Sequence, residues 1–349
     1  MKKGYGSGVG IISSLGTSVN EVWERLNQAD AGCDVKKEIE YESVLPARAR
    51  RRMNRYSDMV VYTSVKAVED AGVEMSEMDS FRAGTIFSTG YGPMVSNLKF
   101  ANMVLEGDPD VCSPTVFAST VSNACVGHVC MNLGCKGVST IVMGSNNVGY
   151  SQMLLDKGDA DYILSGSVEE YCEPVYNALK ANPYCTKAEV AEATVSFLLH
   201  QDENKEHYCT LLDFCECSLG KYPLIDQIDE EDVKVRLKKA LSTFLENNSI
   251  KVDTVFTVTS GNYFDKIEKD VLKEVLPEDV VVVDKIKEYA GETLGSSFNV
   301  ALAIGALCMR ENKIPEKITS DGKGGADMSC ALVTGYDVTG NYIAYLIAK

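Results

Sequence analysis

Histidines and long apolar runs are scarce in this sequence. The 349 residues include only three histidines, and the longest strongly apolar segment is FNVALAIGALCM at residues 298–309. That segment is too short to span a bilayer, because a membrane helix needs ~20 apolar residues. The N-terminus has a basic start, but glycines break its apolar stretch, which argues against a secretory leader. We therefore expect a cytoplasmic protein that does not associate with membranes.

Positive charge is also in deficit. Lysine and arginine number 34 against 50 acidic residues, giving a formal net charge of -16. The negative electrostatic potential of such a protein repels the phosphates of nucleic acids, so nucleic acid is not an expected partner. One segment departs from this balance by concentrating five arginines: Arg48, Arg50, Arg51, Arg52 and Arg55. The cluster is either the solvated start of a helix or a site where an acidic partner docks.

The twelve cysteines lie at irregular spacings, and a chain of this length does not need disulfides to hold its core. We expect reduced thiols. Cys125 and His128 allow an activated thiolate, and with Cys130 they allow a metal site. Their spacing matches no common zinc motif, however, and packing on a buried helix explains them better. No metal or cofactor is predicted, and the other histidines, His200 and His207, are expected in a solvated loop.

Strand-like and helix-like segments alternate along the chain, which predicts an α/β fold. A unit of helix, buried strand and glycine turn at residues 67–92 recurs at residues 240–262. We therefore predict two related halves, residues 1–207 and 208–349. Strands that end in turns at one edge should form a shared pocket there. The turns in question are residues 144–149, 259–262, 290–295 and 335–341.

Segments from end to end resemble the β-ketoacyl synthases of the thiolase fold. GVGIISSLGTSVNEVWERL is similar to their opening strand, turn and tryptophan-bearing helix, and SPTVFASTVSNACVGHVCMNLGCKGVSTIVMG to the segment that leads to their nucleophile. GDADYILSGSVEE and GYDVTGNYIAYLI are similar to the following strand and the closing hairpin. The resemblance implies two related α/β halves in a layered α-β-α-β-α structure.

The catalytic residues implied by the resemblance are all exchanged. The family uses a cysteine that attacks an acyl thioester and two histidines that hydrogen-bond the developing enolate oxygen. The cysteine position holds Asn146 here, and the histidine positions hold Ser260 and Glu292. Only the family's lysine is retained, as Lys287. An amide forms no acyl-enzyme and a carboxylate opposes an enolate, so we expect no condensation by this chain alone.

Two further readings of these turns stay open. Ser145, beside Asn146, is a rival nucleophile if burial raises the pKa of Glu292 enough for it to act as a base. If Glu292 instead pairs with Lys287, both charges are satisfied and the site is structural.

The resemblance implies three candidate functions. The first is a degenerate homologue similar to a chain-length factor, pairing with an active ketosynthase in fatty acid, polyketide or polyene biosynthesis. The second is an enzyme with altered acyl-transfer or thioester-hydrolysis chemistry at Ser145 or Ser260. The third is a homodimeric acyl-binding protein.

The resemblance also implies two contact surfaces. Dimers of the family form along the strand that corresponds to STIVM, residues 139–143 of this sequence. Ile141, Val142 and Met143 are therefore expected at a dimer edge, with Val142 and Met143 buried. The five arginines would face an acidic acyl carrier protein.

Overall fold

The computed structural model describes residues 3–28, 32–107, 112–257 and 259–349. The described residues form twelve strands: β1 Gly4–Ile12, β2 Ala83–Thr89, β3 Ser139–Met143, β4 Tyr162–Glu169, β5 Ala193–His200, β6 Cys209–Ser218, β7 Thr254–Phe256, β8 Val281–Val283, β9 Lys313–Ile314, β10 Gly325–Ala326, β11 Cys330–Tyr336 and β12 Asn341–Ala348. The α-helices are α1 Val19–Asn27, α2 Ala47–Arg50, α3 Arg55–Asp70, α4 Met94–Glu106, α5 Pro114–Ala118, α6 Ala124–Leu133, α7 Asn147–Lys157, α8 Glu173–Lys180, α9 Glu230–Asn248, α10 Phe264–Val275, α11 Ile286–Ala290 and α12 Ser297–Glu311.

Ten of the strands join in the order β3-β2-β4-β5-β1-β6-β12-β11-β7-β8. The first five positions belong to strands before residue 201 and the last five to strands after residue 208. The two groups meet where β1 pairs with β6, over only Gly4 to Gly6. The predicted boundary at residues 207 and 208 precedes β6, but the strands on both sides belong to one sheet, and a division into two domains stays a prediction.

Helices lie between and outside the two groups of strands. Helix α12 has no charged residue from Ser297 to Met309, and every residue in that stretch is buried, as expected for a helix that is apolar all round. It contacts β1 and β5 of one group and β11 and β12 of the other. Helices α3 and α6 pack in one outer cluster, and α9 and α10 in a second. The predicted layered α-β-α-β-α fold is confirmed.

The predicted dimer strand, β3, is an edge of the sheet. It pairs in parallel with β2, from Thr85–Ser139 to Thr89–Met143, and no strand of the described residues lies on its other side. The expected burial of this edge in the single chain is wrong, because the Met143 side chain is 59% exposed and Val142 is only partly buried. An edge strand has one covered and one open side, so apolar residues on it stay accessible.

The solvated environment expected for the histidines is wrong for His200. This residue ends β5 and is buried, with its ring stacked on Tyr5 at 5.9 Å between centroids. Burial lowers the pKa of His200 to about 4. His207 is partly buried and contacts the backbone oxygen of Lys205 through Nδ1. Among the described residues, no helix is both long and apolar enough to cross a membrane.

Candidate functional site

The turns at residues 144–149 and 290–295 meet in the structure. The Ser145 hydroxyl donates to the Gly295 backbone oxygen at 2.8 Å, and the Asn299 amide at the start of α12 donates to the Ser145 backbone oxygen at 3.3 Å. The turn at residues 259–262 joins them, because Ser260 Oγ donates to Glu292 Oε2 at 3.0 Å. Three turns that lie far apart in the sequence thus converge at one place, although the turn at residues 290–295 follows α11 and not, as predicted, a strand.

At their junction lies a buried ion pair. Lys287 Nζ is 2.5 Å from Glu292 Oε2, and the two side chains are 5% and 1% exposed. The same ammonium donates to Ser260 Oγ at 2.6 Å. The other oxygen of Glu292 accepts hydrogen bonds from Ser297 Oγ at 2.6 Å and from the Leu294 backbone N–H at 2.9 Å. Each charge therefore has an opposite charge and further hydrogen bonds, the condition under which a buried pair is tolerated.

Aromatic and acidic neighbours close this cluster. The Tyr336 hydroxyl lies 3.0 Å from Ser260 Oγ, and Lys287 Nζ lies 5.3 Å from the centre of the Tyr336 ring. Burial and, second, the charge of Glu292 raise the pKa of Tyr336 well above its usual value. Asp265 holds the Ser260 turn by accepting from the Ser260 and Gly261 backbone N–H groups at 2.9 and 2.6 Å. The cluster is a closed network rather than an open pocket.

A cavity of about 600 Å³ lies beside Gly261 and Asn262. Its described lining includes Tyr184, Lys187 and Tyr263, but none of the three side chains of the ion-pair cluster. Access from this side therefore ends at the backbone of the turn.

Asn146 lies at the start of α7, where it caps the helix. Its side-chain oxygen accepts from the Gly149 backbone N–H at 3.2 Å, which satisfies one of the free donors of a helix N-terminus. The side chain borders a second cavity of about 300 Å³, whose wall also includes Met143, Glu216 and Asp337. Asn146 thus faces a different cavity from the one beside Gly261, although the turns that carry Asn146 and Glu292 are in contact.

Asp337 is a site residue that the sequence reasoning missed. Its carboxylate accepts hydrogen bonds from the Thr339 backbone N–H at 2.9 Å and from the Ser145 backbone N–H. Burial raises the pKa of Asp337, and burial also raises the pKa of nearby Glu216. The predicted turn at residues 335–341 contains Asp337, because Asp-Val-Thr in a glycine hairpin is a turn signature, but nothing in that pattern indicates its contact with Ser145.

Ser145 is held in a structural contact. It is buried, its hydroxyl donates to the Gly295 backbone, and among the described residues no hydrogen bond joins it to Glu292. The carboxylate proposed as its base is occupied by Lys287 and by its own turn.

Cys125 and His128 lie on α6 without forming a nucleophile pair. Burial raises the pKa of Cys125 to about 12, and its thiol contacts the Ser122 backbone oxygen at 3.2 Å. Burial also lowers the pKa of His128. A thiol with a raised pKa is a weak nucleophile. No group of three metal-binding side chains occurs in the described part of the chain.

Comparisons with known proteins give a consistent family. Residues 28–187 match the family model described as "Beta-ketoacyl synthase, N-terminal domain". A curated relative, 3-oxoacyl-(acyl-carrier-protein) synthase 2 from Synechocystis sp., is 24% identical over 190 residues, which cover 48% of this chain and 46% of that protein. Residues 28–187 of this chain are thus similar to the N-terminal domain of the β-ketoacyl synthases.

Solved structures of the same fold match over the full length. The ishigamide ketosynthase/chain length factor superposes with a TM-score of 0.82 at 17% identity, covering 100% of this chain and 99% of that one. A type II polyketide synthase acyl-carrier protein in complex with its ketosynthase, AntDE:AntF, gives 0.81 at 14% identity and 99% coverage of both chains. At these identities the likeness establishes the fold. The sequence match to the Synechocystis relative spans only about half of that protein's length.

The five arginines at residues 48–55 divide into two groups. Arg50 pairs with Asp58 at 3.1 Å, and Arg55 Nε donates to the buried carboxylate of Glu192 at 2.9 Å. These two side chains hold the start of α3 in place. The remaining three are exposed and take part in none of the ion pairs between described residues: Arg48, Arg51 and Arg52.

Proposed function

We propose that the chain is a catalytically degenerate β-ketoacyl synthase homologue that pairs with an active ketosynthase, in the manner of a chain-length factor. The observation that carries this proposal is the buried ion pair of Lys287 and Glu292, closed on Ser260. Condensation requires hydrogen-bond donors aimed at a developing negative charge. In this chain Glu292 stands where the family has a histidine, and its carboxylate accepts hydrogen bonds from groups of the protein itself. Loss of a single oxyanion donor typically costs about 3–4 kcal/mol of transition-state stabilisation.

The nucleophile position gives independent support. Asn146 has no group that forms an acyl-enzyme, and its oxygen is used to cap α7. The Ser145 backbone N–H, one residue before this cap, donates to the carboxylate of Asp337. Helix N-termini favour anions, and the Asp337 carboxylate already lies beside the N-terminus of α7. A substrate oxygen that acquires negative charge would have to displace it.

Pairing is supported by exposed apolar side chains on β3 and on a helix packed against it. Met143 on β3 and Met131 on α6, a helix that contacts β3, are both exposed. Exposed apolar residues beside an open strand edge favour strand pairing with a second chain. The solved ketosynthase/chain length factor complex provides the analogy for a partner of the same fold.

Carrier-protein docking is the second contact that we propose. Arg48, Arg51 and Arg52 are exposed and take no part in the ion pairs of the described residues, while the chain as a whole carries a net charge of -16. A local basic patch on an acidic protein can guide an acidic partner to one place. Arg50 and Arg55 would contribute less, since their charges are already paired.

An altered acyl-transfer or hydrolase activity at Ser260 has one observation in its favour, the 2.6 Å contact from Lys287 Nζ. A serine nucleophile needs a base that accepts its proton. The amine of Lys287 is already engaged by the carboxylate of Glu292, so it is not free to serve as that base. The same geometry therefore favours the non-catalytic subunit.

Co-expression with a ketosynthase and an acyl carrier protein encoded beside this chain tests the proposal. We expect a stable complex, with acyl groups found by intact-protein mass spectrometry on the ketosynthase and not on this chain. A covalent adduct on Ser260 or Ser145 would instead support altered chemistry. A chain that forms only homodimers in the presence of each ketosynthase would support the acyl-binding alternative and contradict pairing.

A further inference from the structure

A large groove borders the Ser260 turn, with Thr257, Thr259 and Asp265 in its lining. Its volume is about 710 Å³, within the range of about 300–1,000 Å³ typical of small-molecule sites. It runs between α10 and the edge strand β8, at the far end of the sheet from β3. The apolar part of its lining consists of Val255, Leu272, Leu276, Pro277, Val280 and Val282.

Three lysines border the groove along α10. Lys266, Lys269 and Lys273 follow one another at intervals of three and four residues, which places them on one face of the helix. All three are exposed, and no ion pair or hydrogen bond among the described residues involves them. Asp270 and Glu274, which lie next to this row on α10, pair instead with Lys234 and Lys238 on α9.

The acidic side chains of the groove are mostly engaged. Asp265 accepts from two backbone N–H groups, and Glu268 accepts from the Thr334 and Tyr342 hydroxyls at 2.7 and 2.8 Å. Asp284 accepts from the Ser320 backbone and hydroxyl, and Asp321 from the Lys323 backbone. Glu278 is an exposed exception near the end of α10. The lysines are therefore the charged groups with most of their bonding capacity left.

We propose that this groove binds an amphiphile with an alkyl body and an anionic head group, of the medium-chain carboxylate kind. The alkyl body lies between α10 and β8 against Leu272, Leu276 and Val282. The head group contacts the lysine row at the rim, where both attraction and solvation of the charge are available. None of the ion-pair residues lines the groove, so this site is separate from the one that carries the proposed function and does not depend on it.

Titration of the full chain with decanoate, followed by calorimetry at low and high salt, tests the proposal. We expect saturable binding with a single site that weakens as salt rises, because exposed charges are screened. The triple variant with Lys266→Gln, Lys269→Gln and Lys273→Gln should weaken binding by about fivefold or more, taking ~0.3 kcal/mol or more for each exposed charge. The control variant carries the same change at three exposed lysines elsewhere: Lys157, Lys221 and Lys239.

A second variant tests the apolar wall. Val282→Glu places a charge where the alkyl chain lies, and we expect it to abolish binding while the far-ultraviolet circular dichroism stays unchanged. Decyltrimethylammonium and decanol carry the same chain without the negative charge, and both should bind more weakly than decanoate. Equal binding by the ammonium compound, or equal loss in the control triple variant, would overturn the proposal. Vesicles of phosphatidylglycerol, added in place of decanoate, separate a membrane lipid from a free carboxylate as the source of the ligand.

Discussion

Replacement of Glu292 by glutamine is the sharpest test of the ion-pair cluster. Glutamine keeps the size of the side chain and an oxygen for the Leu294 and Ser297 donors, but it leaves the Lys287 ammonium without a counter-charge at 5% exposure. Removal of one partner from a buried pair typically destabilises a protein by about 3–5 kcal/mol. We expect Glu292→Gln to cost about that amount, because the remaining direct contacts of Lys287 are the Ser260 hydroxyl and the Tyr336 ring, both uncharged.

The assay is urea unfolding, with the shift of the midpoint converted to free energy only if the slope is unchanged. The double variant Lys287→Met with Glu292→Gln removes both charges, and we expect it to regain most of the lost stability. The matched control is Glu189→Gln, which breaks the exposed pair with Lys180 and should cost at most about 1 kcal/mol. If Glu292→Gln were as mild as the control, the account of a closed, charge-satisfied cluster would be refuted.

Three further predictions concern buried charge, the sheet edge and backbone packing. Burial raises the pKa of Glu169 to about 8, so folding favours the protonated carboxyl group. The stability that this group contributes therefore declines as the pH rises from the unfolded-state pKa to about pH 8. Glu169→Gln should flatten this decline in urea midpoints measured from pH 5.5 to 8.5. Met143→Asp should abolish association in light scattering, whereas Val235→Asp, at an exposed apolar residue of α9, should leave association intact. Gly149→Ala should destabilise the protein by about 1–3 kcal/mol, since a Cβ there would lie 2.8 Å from the Phe214 ring. Gly127→Ala in α6, where a Cβ meets no atom within 4 Å, should stabilise the protein by about 0.5–1 kcal/mol. The opposite order of stability for the two variants would contradict the packing argument.

The fold was largely predictable because its signals are local. The uncharged run at residues 298–309 predicts a helix buried on all sides, and α12 lies between the two groups of strands. Alternating strand and helix patterns predict the α/β class, and the glycine turns mark where strands end. Each of these features depends on residues a few positions apart, so a single sequence carries enough information to find it.

Side-chain environments were less predictable, because they depend on distant partners. His200 resembles a loop residue in sequence, but strand pairing and Tyr5 bury its ring. Met143 resembles a core residue, yet it lies on a strand with no neighbour on one side among the described residues. The contact of Asp337 with Ser145 joins positions almost two hundred residues apart. No local pattern encodes such contacts.

The role of Glu292 follows from the number of donors that converge on it. Its two oxygens accept from Lys287 Nζ, Ser260 Oγ, Ser297 Oγ and the Leu294 backbone N–H. These donors belong to the turn after β7, to α11 and to the start of α12, so one carboxylate joins three separately built elements. An apolar replacement of the pair would often be as stable, but it would not fix the direction of these elements relative to one another. Under the proposed function, a subunit without chemistry of its own still has to present a rigid surface to its partner. A charged pair with directional hydrogen bonds provides that rigidity at the point where α12 enters the space between the two groups of strands.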